Sequence, residues 1–130
     1  KKICDENNID FFAYSPLSFG ILCIDPDKEE NKEKSFIRNA LFENYKKPTY
    51  ELRRCLKKIA NQRSVSQAQV AINWCCYQGT VPLVGMRKKS QVIDVSNVFK
   101  WNLNKEEFKL LQEVSKSCLK KMPKNPFSSI

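Results

Sequence analysis

No histidine occurs among the 130 residues, and that one absence removes much chemistry. Ser-His-Asp and Cys-His nucleophilic sites both need an imidazole base. Zinc sites lean on histidines or paired cysteines, and the chain has no C-x-x-C pair either, so metal ligation is not expected. No apolar run approaches the roughly 20 residues of a membrane-spanning helix. Residues 1–8 (Lys1-Lys2-Ile3-Cys4-Asp5-Glu6-Asn7-Asn8) lack the apolar core of a signal peptide. Internal repeats and low-complexity segments are absent as well. A cytoplasmic setting without a membrane partner is the expectation.

Cysteine is not scarce, but its six positions (Cys4, Cys23, Cys55, Cys75, Cys76 and Cys118) are scattered rather than framed. Three of them fall on apolar helix faces, where free cysteine acts as a small buried hydrophobe. A reducing compartment would keep such thiols. The formal net charge is +9, which suits nucleic acid, an anionic membrane or a phosphorylated small molecule. Much of the excess lies on spread helix-face lysines (Lys57, Lys58, Lys105, Lys109, Lys116) and near the end (Lys120, Lys121, Lys124). These read as solvated surface. A nucleic-acid track would interleave aromatics with cations, whereas Phe11, Phe12, Trp74 and Phe108 occupy core-like positions.

One stretch does gather charge beside a structural reason for it. In Thr80-Val81-Pro82-Leu83-Val84-Gly85-Met86-Arg87-Lys88-Lys89-Ser90-Gln91 an apolar run reaches a glycine, and three cations precede a helix-like segment. Glycine permits close approach and a tight turn. The first turn of a helix offers unpaired N–H groups and the positive end of its dipole. A phosphate-bearing ligand fits that layout.

Along the chain, residues 1–8 read as the tail of a helix and residues 9–14 as a buried strand stopped by Ser15-Pro16. A long connection over residues 18–47 follows; its charged run, residues 25–34, is expected to be mobile surface. Phe36, Ile37, Leu41, Phe42 and Tyr45 suggest a packed second half. A helix is predicted over residues 48–63, with Leu52, Cys55, Leu56 and Ile59 on one face. Ser66 and Gln69 predict a capping box and Val65 and Val70 a staple for the next helix, which Gly79 should stop. Residues 80–84 read as a second buried strand and about 90–98 as a helix. A last helix begins at Asn104, with Glu107 as box partner and Leu103 and Phe108 as staple. Residues 120–130 are expected to be an irregular tail.

Strands alternating with helices imply parallel pairing and an α/β fold. Two strands do not make a self-sufficient parallel sheet, because such sheets are buried on both faces. Phe11, Phe12, Leu83 and Val84 look fully buried, yet the chain has no further strands to cover them. It reads like part of a larger barrel or sheet.

Three phrases in register resemble one family, the aldo-keto reductases. Ala13-Tyr14-Ser15-Pro16-Leu17-Ser18-Phe19-Gly20-Ile21-Leu22 is similar to the family's seventh strand and phosphate-contacting loop. Gln69-Val70-Ala71-Ile72-Asn73-Trp74 is similar to its seventh helix. Val81-Pro82-Leu83-Val84-Gly85 resembles the eighth strand, with Arg87, Gln91 and Trp101 at the family's spacing. The plant and cyanobacterial members look most similar, through Gln-Val-Ala-Ile-Asn-Trp-Cys. The resemblance implies a (β/α)8 TIM barrel of which residues 1–130 are only the C-terminal portion, strands 7 and 8 with their helices. Barrel active sites lie at the C-terminal ends of strands.

By the same resemblance, Tyr14 would stack on the nicotinamide, and Ser15, Leu17 and Gly20 would wrap the pyrophosphate. Gly85 lies at the strand exit. Arg87 would take the adenosine 2′-phosphate, which favours NADP as cofactor, with Lys88 as a second candidate. Gln91 and Asp94 match adenine- or phosphate-side contacts, although Val95 stands where many members have asparagine. The family reduces a small-molecule carbonyl by hydride transfer, with a tyrosine acid surrounded by lysine, aspartate and histidine on earlier strands. No residue here is assigned a catalytic role, and the chain alone is expected to be inactive. Two other readings are a non-catalytic nicotinamide-sensing subunit of the same fold and a basic helical nucleic-acid-binding module. The expected partner is the missing N-terminal part of the barrel, or else a second copy meeting exposed strand edges.

Overall fold

Two short strands pair in parallel in the computed structural model, which describes residues 1–28 and 43–121. Strand β1 (Phe12–Tyr14) and strand β2 (Val81–Leu83) run in the register Phe12↔Val81, Ala13↔Pro82 and Tyr14↔Leu83. Parallel neighbours need a long crossover, and here it carries most of the helical mass. A short helix α1 (Lys2–Glu6) leads into β1. After β1 come a 3-10 segment (Ser18–Cys23), helix α2 (Tyr50–Arg63) and helix α3 (Gln67–Tyr77). Beyond β2 lie α4 (Lys89–Ser96), a 3-10 turn (Asn97–Lys100) and α5 (Lys105–Lys121).

The core forms where α2, α3 and α5 meet. Leu56, Ile59, Val70, Ala71, Leu103 and Leu111 are buried together, with Trp74, Trp101 and Val114 packed against them. Cys55, Cys75 and Cys118 are buried, as their places on apolar faces suggest. A satellite cluster of Ile21 and Ile24, covered by Tyr45, fixes the segment after β1.

Helix boundaries follow local chemistry. Ser66 Oγ accepts the Gln69 amide at 3.1 Å and so caps α3. At its other end Gly79 adopts φ +68°. There the Gly79 N–H reaches Cys76 O at 2.8 Å and the Thr80 N–H reaches Cys75 O at 3.3 Å, which is a Schellman stop. Asn104 and Glu107 form the full reciprocal box: the Asn104 amide donates to Glu107 Oε2 and the Glu107 amide to Asn104 Oδ1, both at 2.8 Å.

Several expectations need correction. The two strands are not buried in this chain: Phe11 is 39% exposed, Phe12 57% and Leu83 52%, while Val84 is half-buried. Only one edge of each strand is paired and no second layer covers their outer face among the described residues. Phe11 and Phe12 are therefore not the core residues their apolar run suggests. Gln69 completes only half of the capping box, because its side chain reaches elsewhere. Lys120 and Lys121, read as tail, form the last turn of α5, where cations oppose the negative helix end; residues 122–130 lie outside the described residues. At the start of the charged run, Lys57 Nζ binds Asp25 Oδ1 at 2.6 Å and Asp27 Oδ2 at 2.7 Å, so this part is anchored to α2. Residues 29–34, and Phe36, Ile37, Leu41 and Phe42, lie outside the described residues.

Candidate functional site

The segment leaving β1 is held in an unusual backbone conformation. Ser15, Ser18 and Phe19 have φ of 52°, 47° and 56°, and Gly20 has 95°. Left-handed conformations at non-glycine residues cost of order 1–3 kcal/mol each and gather at functional segments. Only Gly20 adopts its φ without a Cβ penalty. The Ser18 amide to Ser15 O, at 2.9 Å, and the Gly20 amide to Leu17 O, at 2.8 Å, hold the coil. Ile21 and Ile24 anchor it from below.

Parallel pairing brings the exit of β2 beside this coil. Between them lies a cleft of about 240 Å³, lined by Leu17 and Cys23 on one side and by Gly85, Met86, Gln91 and Asp94 on the other. Its end wall is Gln67 and Ala68, the first turn of α3, so the positive end of that helix dipole faces it. Gly85 is not in a left-handed conformation, and a Cβ built on it would meet nothing within 4 Å. The chain's own packing does not demand glycine there. A closely approaching ligand would.

The amides of the turn just before α4 (Lys89–Ser96) are not open. Gln91 Oε1 accepts the Arg87 N–H at 2.8 Å and the Lys88 N–H at 3.0 Å. Those two donors are spent, and what the turn presents is the exposed side chains of Arg87 and Lys88. Gln91 thus shapes the cationic turn with its carboxamide.

Asp94 is committed to the fold. Its Oδ2 accepts Ser66 Oγ–H and its Oδ1 accepts Gln69 Nε2–H, both at 2.6 Å. Gln69 Oε1 in turn accepts the Trp101 indole at 3.1 Å. This chain of bonds ties α4 and the segment after it to the start of α3. Cys23 is exposed as a residue, but desolvation around its sulfur, with the Asp94 charge second, pushes its thiol up to about 11. It is an uncharged thiol at neutral pH and a poor nucleophile.

Of the residues singled out in the sequence, Leu17, Gly85, Gln91 and Asp94 share the cleft. Arg87 and Lys88 follow it at the rim of α4, and Ser15 and Gly20 shape the facing coil. Tyr14 does not line this cleft. It is 79% exposed at the end of β1 and borders a separate apolar groove of about 310 Å³ with Ala13, Pro16, Ser18 and Trp74. Sequence reasoning missed Asn73. Buried in α3, it donates to Val98 O at 3.3 Å and Trp101 O at 2.8 Å and accepts the Leu103 amide at 3.1 Å. An asparagine inside the apolar stretch from Val70 to Tyr77 was the available signal.

A model described as "Aldo/keto reductase family" matches residues 1–116. Pyridoxal reductase, chloroplastic, from Arabidopsis thaliana is 34% identical over 129 residues, 99% of this chain and 35% of that protein. Rhazimal reductase 2 from Alstonia scholaris is 29% identical over 112 residues, 85% of this chain and 28% of that protein. The glycerol dehydrogenase AKR11B4 from Gluconobacter oxydans superposes with a TM-score of 0.66 at 27% identity, covering 98% of this chain and 40% of that one. The chain therefore spans about a third of the length of the curated relatives it matches. The parallel two-stranded α/β unit is consistent with part of a barrel. Among the described residues no helix is long and apolar enough to cross a membrane.

Proposed function

This chain belongs to the aldo/keto reductase family, and from that premise we propose that it is the cofactor-binding C-terminal portion of an NADPH-dependent carbonyl reductase. Strands β1 and β2 would be the seventh and eighth of the (β/α)8 barrel, completed by chain of the kind its longer relatives carry. When bound, the nicotinamide cofactor supplies a hydride to a small carbonyl substrate. The residues of this chain bind and orient.

One observation carries the reading: the open space at Gly85 lies between the strained coil after β1 and the cationic turn before α4. The residues fit a dinucleotide as follows. The cleft is smaller than a typical ligand pocket of about 300–1,000 Å³, so it would take one moiety of the cofactor, on the adenosine side. Arg87 would pair its planar guanidinium with the 2′-phosphate, with Lys88 as a second charge. Ser15, Leu17 and Gly20 would present the coil to the pyrophosphate. Exposed at the strand end, Tyr14 has a free face for the nicotinamide ring. Gln91 would act indirectly, by holding the Arg87 and Lys88 backbone in place. Asp94 would keep the α3 end of the cleft rigid, its carboxylate already engaged by Ser66 and Gln69. No residue of this chain is given a catalytic role. A cytoplasmic setting and a partner that supplies the N-terminal part of the barrel, or else a second copy meeting the exposed strand edges, complete the proposal.

The test is differential affinity. The intact protein should bind NADPH more tightly than NADH, and Arg87→Ala should remove most of that preference while changing NADH affinity little. Equal affinities before mutation would end the 2′-phosphate assignment.

A further inference from the structure

Arg53 is 1% exposed, which is unusual for arginine. Its Nε donates to Thr49 Oγ1 at 3.3 Å and its Nη2 to Lys46 O at 2.8 Å. Its Nη1 is buried with no hydrogen-bond partner among the described residues. The Tyr50 ring lies 5.9 Å from its Cζ. No carboxylate among the described residues hydrogen-bonds this guanidinium. The Asp25 carboxylate acts on it through its charge alone, and a buried cation so placed is costly unless a closer anion offsets it.

Arg53 lines a cleft of about 640 Å³ whose walls also hold Lys46, Lys47 and Lys121. Glu43 and Glu51 border it too, but each faces a cation of its own, Lys46 and Arg54 respectively, at 4.0 Å. Among the described residues the walls of the cleft carry four cations and two carboxylates. The first turn of α2, through Tyr50 and Glu51, also belongs to the wall, so that helix turns its positive end toward the space. This cleft is not the one at Gly85. Helix α2 ends at Arg63, which binds Glu107 at the start of α5 and lies three residues from Ser66. The start of α2 and Lys121 at the end of α5 are therefore at the opposite end of the helix layer.

We propose that this cleft binds the phosphate group of a small soluble molecule, with Arg53 as the buried donor in its wall and Lys47 and Lys121 as the outer charges. A phosphate oxygen at Nη1 would satisfy the orphaned donor with a charge-assisted hydrogen bond. The volume lies within the range of small-molecule pockets. The site is independent of the nucleotide reading.

The experiment uses the intact protein carrying Arg87→Ala, Lys88→Ala and Lys89→Ala, so that no cation remains at the start of α4. Inorganic phosphate, and malonate as a carboxylate control, are titrated at constant ionic strength while thermal unfolding and the amide resonances of Tyr50 and Glu51 are followed. Phosphate should raise the unfolding temperature and shift those amides more than malonate does. Adding Lys47→Gln with Lys121→Gln should weaken the phosphate response by about tenfold or more. Arg53→Met should abolish it without loss of stability in phosphate-free buffer, since an apolar replacement of a buried ion is often neutral or better. If that variant fails to fold, the lysine pair decides. No phosphate response, an equal malonate response, or a response indifferent to Lys47 and Lys121 would each overturn the proposal.

Discussion

Arg63, the last residue of α2, grips Glu107, in the first turn of α5, through two parallel hydrogen bonds of 2.9 and 2.8 Å. The same carboxylate accepts the Asn104 amide, so one side chain both starts α5 and fastens it to α2. Above it the Arg63 guanidinium lies 5.9 Å from the Trp101 ring. A helix cap and a long-range clamp are thus one group, and its ionisation has a consequence for stability.

Burial by itself raises the Glu107 pKa, but the Arg63 hydrogen bond, the Asn104 amide and the Arg63 charge outweigh it, and the net shift is downward. A carboxyl depressed in the folded state contributes stability above its unfolded value, about 4.3 for glutamate. That contribution is lost as pH falls through the folded pKa. Stability measured by urea unfolding should therefore drop below about pH 4.3, and Glu107→Gln should flatten that part of the profile. Asn104→Ala, which removes only the cap, should cost about 1 kcal/mol at neutral pH.

Asn73→Ala should be among the most damaging substitutions. It would strip partners from two carbonyls and one amide, in a residue only 3% exposed. Buried groups left unpaired cost roughly 1–3 kcal/mol each, so a fall of about 3 kcal/mol or more in unfolding free energy is expected, read as a lower urea midpoint at unchanged slope.

Asp94→Ala separates a structural carboxylate from a ligand contact. Losing the Ser66 and Gln69 bonds should destabilise the ligand-free protein by about 1–3 kcal/mol. A variant of unchanged stability with weakened nucleotide binding would reassign Asp94 to the ligand.

Two glycines should answer differently to alanine. At Gly79 the left-handed backbone makes Ala strained by about 1–2 kcal/mol, although its Cβ would meet only the flexible Lys1 Nζ at 3.6 Å. Gly85→Ala should leave the unfolding temperature unchanged and lower NADPH affinity, because the space it fills is empty of protein atoms. Calorimetry and cofactor titration on the two variants check both halves.

Much of the local architecture was legible in the chain. The Asn104–Glu107 box and the Gly79 stop were readable because each device lies within a few residues of the helix end it serves. Alternation of strand and helix implied parallel pairing, which the register of β1 and β2 shows. The candidate cleft was legible in outline: Leu17, Gly85, Gln91 and Asp94 converge where the two strand exits meet. What each of them does there was not. Gln69 looked like the partner of Ser66, yet its side chain spans to Asp94 and Trp101, 25 and 32 residues away. Phe11 and Phe12 looked like core, but apolar character reports that a surface is to be covered and not by what.

Sequence alone determined where α3 starts and stops, where α5 starts and, from the alternation of strand and helix, that the strands run parallel, because caps and left-handed glycines act within a few residues of the helix end they serve. Only the tertiary structure decided which donors are spent and which are left waiting. Gln91 takes the amides of the turn before α4, Asp94 is drawn into the α3 cap, and Arg53 is buried with one donor unmatched. Those outcomes depend on which helices pack together, and a hydrogen bond forms only with the partner that packing brings within about 3 Å.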